Sequence, residues 1–136
     1  MFDPNTFFNT VNPNKNIIVA YSGGVDSTAM LHFCYELHQK KLLLGNLSAL
    51  HINHSLNTNS DLWEEHCQKF CEKRNIPFKS RTVEVSKKKS GLESAARQAR
   101  YKIFTEVLKS NDQILLAHHA DDVAETVLFR LFRGTG

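Results

Sequence analysis

The chain has 136 residues, 41% hydrophobic and 23% charged, with a formal net charge of +3. That length suits a single domain with a real core, and the charge is too small to argue nucleic-acid binding by itself. No apolar run approaches the roughly 18 residues of a membrane span, and Met1-Phe2-Asp3-Pro4-Asn5 does not open a signal peptide. The three cysteines form no disulfide framework. These features lead to the expectation of a cytoplasmic enzyme with no membrane partner.

Residues 1–16 are rich in asparagine and contain Pro4 and Pro13, so they read as a leading segment with a helical turn around Phe7 and Phe8. The main domain is expected to run from residue 17 to 136. Asn16 to Tyr21 is short, apolar and rich in β-branched residues, which predicts a buried strand. It breaks at Gly23-Gly24, and Met30, Phe33, Cys34 and Leu37 then form the apolar stripe of a helix from about Asp26 to Lys40. A second strand is predicted over Leu47 to Asn53 and a second helix over Asp61 to Arg74, stopped by Asn75 and Pro77. Phe78 to Val85 and Gln113 to Ala117 read as strands, and Leu92 to Lys109 and Asp121 to Arg133 as helices. Strand and helix thus alternate four times. That pattern predicts an α/β fold, a twisted parallel sheet with helices on both faces.

Ligands of such sheets bind beyond the carboxyl ends of the strands, near the point where the strand order reverses. Four loops are predicted at that edge: Ser22–Ser27, His51–Asn57, Ser86–Gly91 and His118–Asp122. In the first, a strand, a glycine turn and a helix N-terminus present backbone N–H groups and a positive dipole end to an anion. The same turn also precedes helices in α/β proteins that bind no phosphate. It lacks the lysine of G-x-x-x-x-G-K-[ST] and the third glycine of G-x-G-x-x-G. A phosphate here would therefore be held by backbone, hydroxyls and a cation on Asp26.

His51 and Asn53 sit at a strand end, where polar residues either cap the strand or contact a nucleotide. His54, His66, Cys67 and Cys71 raise metal binding, but Cys67 and Cys71 at i, i+4 fit a helix core face better, and no paired C-x-x-C exists. In the fourth loop, Asp121, Asp122 and Glu125 place three carboxylates at an expected helix start. Dipole complementarity explains them as acids of a first turn. Beside a phosphate site they also suit Mg²⁺ and a cationic second substrate. Glu93 and Arg97 make an ordinary i, i+4 pair, although Arg97 or Arg100 could reach a polyphosphate. Lys87-Lys88-Lys89 reads as a solvated loop able to steer an anion.

Ser22-Gly23-Gly24-Val25-Asp26-Ser27 resembles the S-G-G-x-D-S signature of the N-type ATP pyrophosphatase (PP-loop) superfamily. Three further blocks, HINHSL at His51–Leu56, ESAARQARY at Glu93–Tyr101 and AHHADDVAETVLFRLFRGTG at Ala117–Gly136, resemble the N-terminal domain of the tRNA(Ile)-lysidine synthases within it. The resemblance implies a carbon–nitrogen ligase acting on the wobble cytidine of tRNA(Ile) with a CAU anticodon. ATP adenylates the base and pyrophosphate leaves; free L-lysine then displaces AMP to give lysidine. It implies ATP phosphates on Ser22, Gly23, Gly24, Val25, Asp26 and Ser27, and adenosine near Ala20 and Asn53. It also implies Arg97 or Arg100 facing the phosphates, Mg²⁺ on Asp26 and Asp121, and the lysine amine near Asp121, Asp122 and Glu125.

The family often has arginine after the HxNHxL block, where this chain has Asn57. Gly134-Thr135-Gly136 reads as a turn into further structure, so the chain is expected to be truncated, without tRNA-binding C-terminal domains and inactive alone. A homodimer of the full-length protein is left open. The alternatives are another PP-loop tRNA-modifying ligase of the thiolase type and a non-catalytic adenine-nucleotide-binding module.

Overall fold

Ile17, Ile18 and Val19 carry apolar side chains to both sides of the chain, the composition of a strand covered on both faces. They form β1 (Asn16–Ala20), the middle strand of a five-stranded sheet. The computed structural model describes residues 4–53, 59–83, 92–120 and 123–129, with residues 4, 6, 92–97, 118–120 and 123–129 as backbone only. Ahead of β1 lies α1 (Pro4–Thr10), and after it come α2 (Val25–Gln39), β2 (Leu47–Asn53) and α3 (Asn59–Glu72). There follow β3 (Phe78–Thr82), α4 (Leu92–Val107), β4 (Asp112–Ala120) and β5 (Val123–Phe129).

The strand order is β3-β2-β1-β4-β5, with the first four parallel as expected. From β1 the chain steps outward to β2 and β3, then crosses back to β4 on the other side of β1. Right-handed crossovers require a helix to change faces when the step direction reverses. Accordingly α1, α2 and α3 cover one face, where Phe7, Met30, Leu31, Cys34, Leu37, Cys67 and Cys71 pack on Ile17, Val19, Ala49 and Leu115. On the opposite face α4 sets Ile103 and Phe104 on Ile18, Leu50 and Ile114. The reversal between β1 and β4 is the topological switch point of the sheet.

Polar pins close the end away from that switch. Gln113 is buried and exchanges two 2.8 Å hydrogen bonds with the Asn12 backbone, its amide donating to the carbonyl and its oxygen accepting from the N–H. Asn16 donates to Asp112 at 3.0 Å and accepts from the Asn46 N–H. The described part of the leading segment is thereby tied to the sheet, with Phe7 and Val11 in the core. Both α2 and α3 end in Schellman turns, with Leu42 N–H donating to the Leu37 carbonyl and Ile76 N–H to the Cys71 carbonyl. The left-handed residues there are Lys41 (φ 63°) and Asn75 (φ 57°).

Two expectations change. His118 and His119, predicted in a loop, belong to β4, which runs on to Ala120. The helix predicted from Asp121 to Arg133 is, over its described part, strand β5, antiparallel to β4 from Ala120↔Val123 to Ile114↔Phe129. Val123, Thr126, Val127 and Phe129 favour a pleated strand, and pairing covers the otherwise open β4 edge. The helical spacing that grouped Glu125 with Asp121 and Asp122 therefore does not hold. Glu125 is paired with His118, and Asp121 and Asp122 lie outside the described residues.

The expected core cysteines are found. Cys34, Cys67 and Cys71 are free and buried, and burial pushes their thiols from 9.0 to about 12, about 11 and about 12. Above pH 9 an unfolded chain loses thiol protons that the folded chain retains, so stability falls with rising pH there and is indifferent to these groups below it. Urea midpoints measured at pH 8 and pH 10.5 should show that drop, with all three thiols unreactive to a disulfide reagent at pH 8 until the chain unfolds. Lys41→Gly removes a left-handed penalty of about 1 kcal/mol. Its thermal midpoint should rise by several degrees.

Candidate functional site

Ala20 ends β1, and the next residues are held from two sides before the chain enters α2. Tyr21 N–H donates to the Leu50 carbonyl at 2.9 Å. The Tyr21 carbonyl accepts from His51 Nδ1 at 2.9 Å, which fixes the proton on that nitrogen. His51 is buried and stacks on Phe78. Tyr21 itself is buried, which raises its phenol pKa, while its hydrogen bond with the Thr28 side chain opposes that shift.

The glycine turn then closes on serine hydroxyls. Ser27 Oγ accepts from the N–H groups of Ser22 (3.1 Å) and Gly23 (3.2 Å) and lies 2.9 Å from Ser22 Oγ. Ser22 Oγ in turn accepts from the Gly24 N–H at 3.2 Å. Gly24 is the N-cap of α2, whose first bond runs from Thr28 N–H to the Gly24 carbonyl at 3.0 Å. No side chain caps that helix start. Gly23 has φ +89°, and a Cβ there would lie 2.6 Å from Cys67 Sγ and 2.8 Å from Trp63 Nε1. Both the conformation and the space demand glycine. Asp26 occupies the first turn of α2, and Val25 stands largely exposed at its start.

Beside the turn opens a cavity of about 410 Å³ across the carboxyl ends of β2, β1 and β4. Its wall includes Ala20 from the end of β1, Ser22 and Ser27 from the glycine turn, Asn53 from β2 and Arg100 from α4. These residues, far apart in sequence, are the expected site residues that the fold brings together. Arg97 lies one helical turn before Arg100 on α4. Asn53 is buried, and its amide donates to Asp61 Oδ1 at 3.0 Å and Glu64 Oε1 at 3.2 Å, tying the start of α3 to β2. The fold therefore sets a carboxylate pair beside this cavity that the sequence reading did not single out. Among the described residues, no group of three or more metal-ligating side chains converges.

Trp63 was also missed. Its indole N–H donates to the Ser22 carbonyl at 2.7 Å, and its ring stacks on His66. The available signal was position: Trp63, Cys67 and Cys71 form an i, i+4, i+8 stripe whose first member lies at the ligand edge of the sheet. The loops expected at 54–57 and 86–91 lie outside the described residues, and no helix among the described residues is long and apolar enough to cross a membrane.

Several known proteins are similar to the chain. Curated tRNA(Ile)-lysidine synthases are among them: that of Coxiella burnetii is 44% identical over 131 residues, covering 96% of this chain and 29% of the relative. That of Yersinia pestis is 39% identical over 132 residues, covering 97% and 29%. The chain thus spans less than a third of these relatives' length. Among solved structures, the U34-tRNA thiolase NcsA from Methanococcus maripaludis with its 4Fe-4S cluster has a similar fold, with a TM-score of 0.65 at 21% identity over 84% of this chain and 41% of that one. A family described as the PP-loop domain matches residues 3–136. A glycine turn closed by its own serines at the switch point of a parallel sheet, within a family match of that extent, means that the chain belongs to the PP-loop domain family.

Proposed function

We propose that this chain is the ATP-binding part of a tRNA(Ile)-lysidine synthase. The observation that carries the reading is the glycine turn whose two serines, Ser22 and Ser27, line a cavity together with Ala20, Asn53 and Arg100. The curated relatives' name directs it to lysidine formation. In this reading the turn N–H groups and the α2 N-terminus hold the ATP phosphates, and adenosine lies against Ala20 and Asn53. Arg100, with Arg97 a turn away, offsets the charge that moves onto departing pyrophosphate.

Asp26 at the start of α2 fits Mg²⁺, an ion commonly held by one or two carboxylates together with substrate phosphates. Bound there, Mg²⁺ would neutralise phosphate charge. By motif, Asp121 is assigned to the same ion, and Asp122 and Glu125 with it to the amine of free lysine. The tRNA(Ile) wobble cytidine accepts the adenylyl group, and lysine nitrogen then replaces AMP on the base. The chemistry asks for alignment and charge stabilisation, with no side-chain nucleophile. The thiolase alternative is not favoured: all three cysteines of this chain point into the core.

The test is pyrophosphate release by the full-length protein with ATP, lysine and tRNA(Ile), omitting one at a time. Release should vanish without tRNA and stop after one turnover without lysine; continuous release from ATP alone would sink the ligase reading. Asp26→Asn should lower kcat/KM for ATP by about a hundredfold, the scale for losing one charge stabiliser of a transition state. The defect should deepen as Mg²⁺ is titrated down.

A further inference from the structure

The Ser22–Gly23 peptide is gripped from outside the turn. Its carbonyl receives the Trp63 indole N–H at 2.7 Å and faces the Cys67 thiol at 3.9 Å. Its amide, on Gly23, points the other way to Ser27 Oγ. This opposition is a property of the trans peptide, whose C=O and N–H lie on opposite sides of one rigid plane. Whatever holds the carbonyl therefore aims the amide.

Gly23 is the residue least able to hold that plane by itself, because glycine admits both signs of φ at little cost. Rotation of the plane would swing the Gly23 N–H out of the turn. Three features of α3 oppose that rotation: the indole donor on the carbonyl, the indole ring against Gly23, and Cys67 behind it. The ring is placed from below by Asn53, which ties Asp61 and Glu64 on either side of Trp63 to β2. Trp63 is nonetheless 45% exposed, so core packing alone does not account for its position.

We infer that Trp63 is a positioning residue for the glycine turn, latching the Ser22–Gly23 peptide so that the Gly23 N–H faces the anion site. The inference rests on the proposed reading of that turn as the ATP phosphate grip. Trp63 also lines the cavity, but its polar contact is to the turn's carbonyl, so its effect is on ground-state capture of ATP. Its removal is expected to act on KM more than on kcat.

Trp63→Phe keeps an aromatic ring against Gly23 and deletes the donor. Replacement of Trp63 by benzothienylalanine keeps the fused rings and also lacks the N–H, which guards against a packing failure of the phenylalanine variant. Two readouts are made on the full-length protein. Amide exchange followed by mass spectrometry should show the Gly23 amide exchanging at least about fivefold faster in both variants without nucleotide, the scale of one lost neutral hydrogen bond. KM for ATP in pyrophosphate release should rise about five- to tenfold, with kcat within about twofold and the thermal midpoint nearly unchanged. Unchanged Gly23 exchange in both variants overturns the latch. Faster exchange with unchanged KM for ATP overturns its part in the grip. If the unaltered protein fails to bind ATP, the proposed function falls, while the exchange measurement still decides the latch.

Discussion

Parallel pairing of β1 with both β2 and β4 is the constraint from which the other features follow. Parallel neighbours cannot be joined by a tight turn, so each pair needs a crossover helix. Because the chain goes outward to β3 before returning to β4, the crossovers divide between the two faces. Central β1 is then buried above and below, and its carboxyl end is left flanked by two loops that diverge. The cavity beside Ser22 and Ser27 is a consequence of that divergence.

Backbone satisfaction explains the composition of the turn. At the end of a buried strand every N–H and C=O needs a partner. The Tyr21 carbonyl finds His51, the Ser22 carbonyl finds Trp63, and the amides of Ser22, Gly23 and Gly24 find serine hydroxyls. Hydroxyl acceptors rotate, so they can hold these amides in place and still yield them to a phosphate oxygen. Carbonyl acceptors could not do so without moving the chain. The turn is thus shaped before it meets an anion, which lowers the ordering cost of binding.

Most of the α/β alternation was readable because parallel strands buried on both faces show as unbroken apolar runs, and their helices as stripes such as Met30, Phe33, Cys34 and Leu37. The glycine turn was readable because Gly23 answers a local steric demand. Reading failed where local preference was divided. Val123 to Phe129 carries both a helical stripe and β-branched residues, and pairing with β4 decides for the strand. His51, which reads as a nucleotide contact or a strand cap, is a buried donor to the β1 end that also lines the cavity, a partner only the fold identifies.

By itself the sequence determined which residues could serve an anion and in what order the elements come, since glycine turns, apolar periodicity and S-G-G-x-D-S are local properties. It could not say that α3 would reach across to the turn. The Trp63 donor, the Cys67 wall behind Gly23 and the Asn53 tie to Asp61 and Glu64 join residues 41, 44, 8 and 11 positions apart. Each exists only because the crossover rule lays α3 over β2 and β3 on the face that α2 also covers. The Ser22–Ser27 turn is written in the chain, whereas the direction in which its amides point was decided by tertiary packing, through a rigid peptide plane held from its far side.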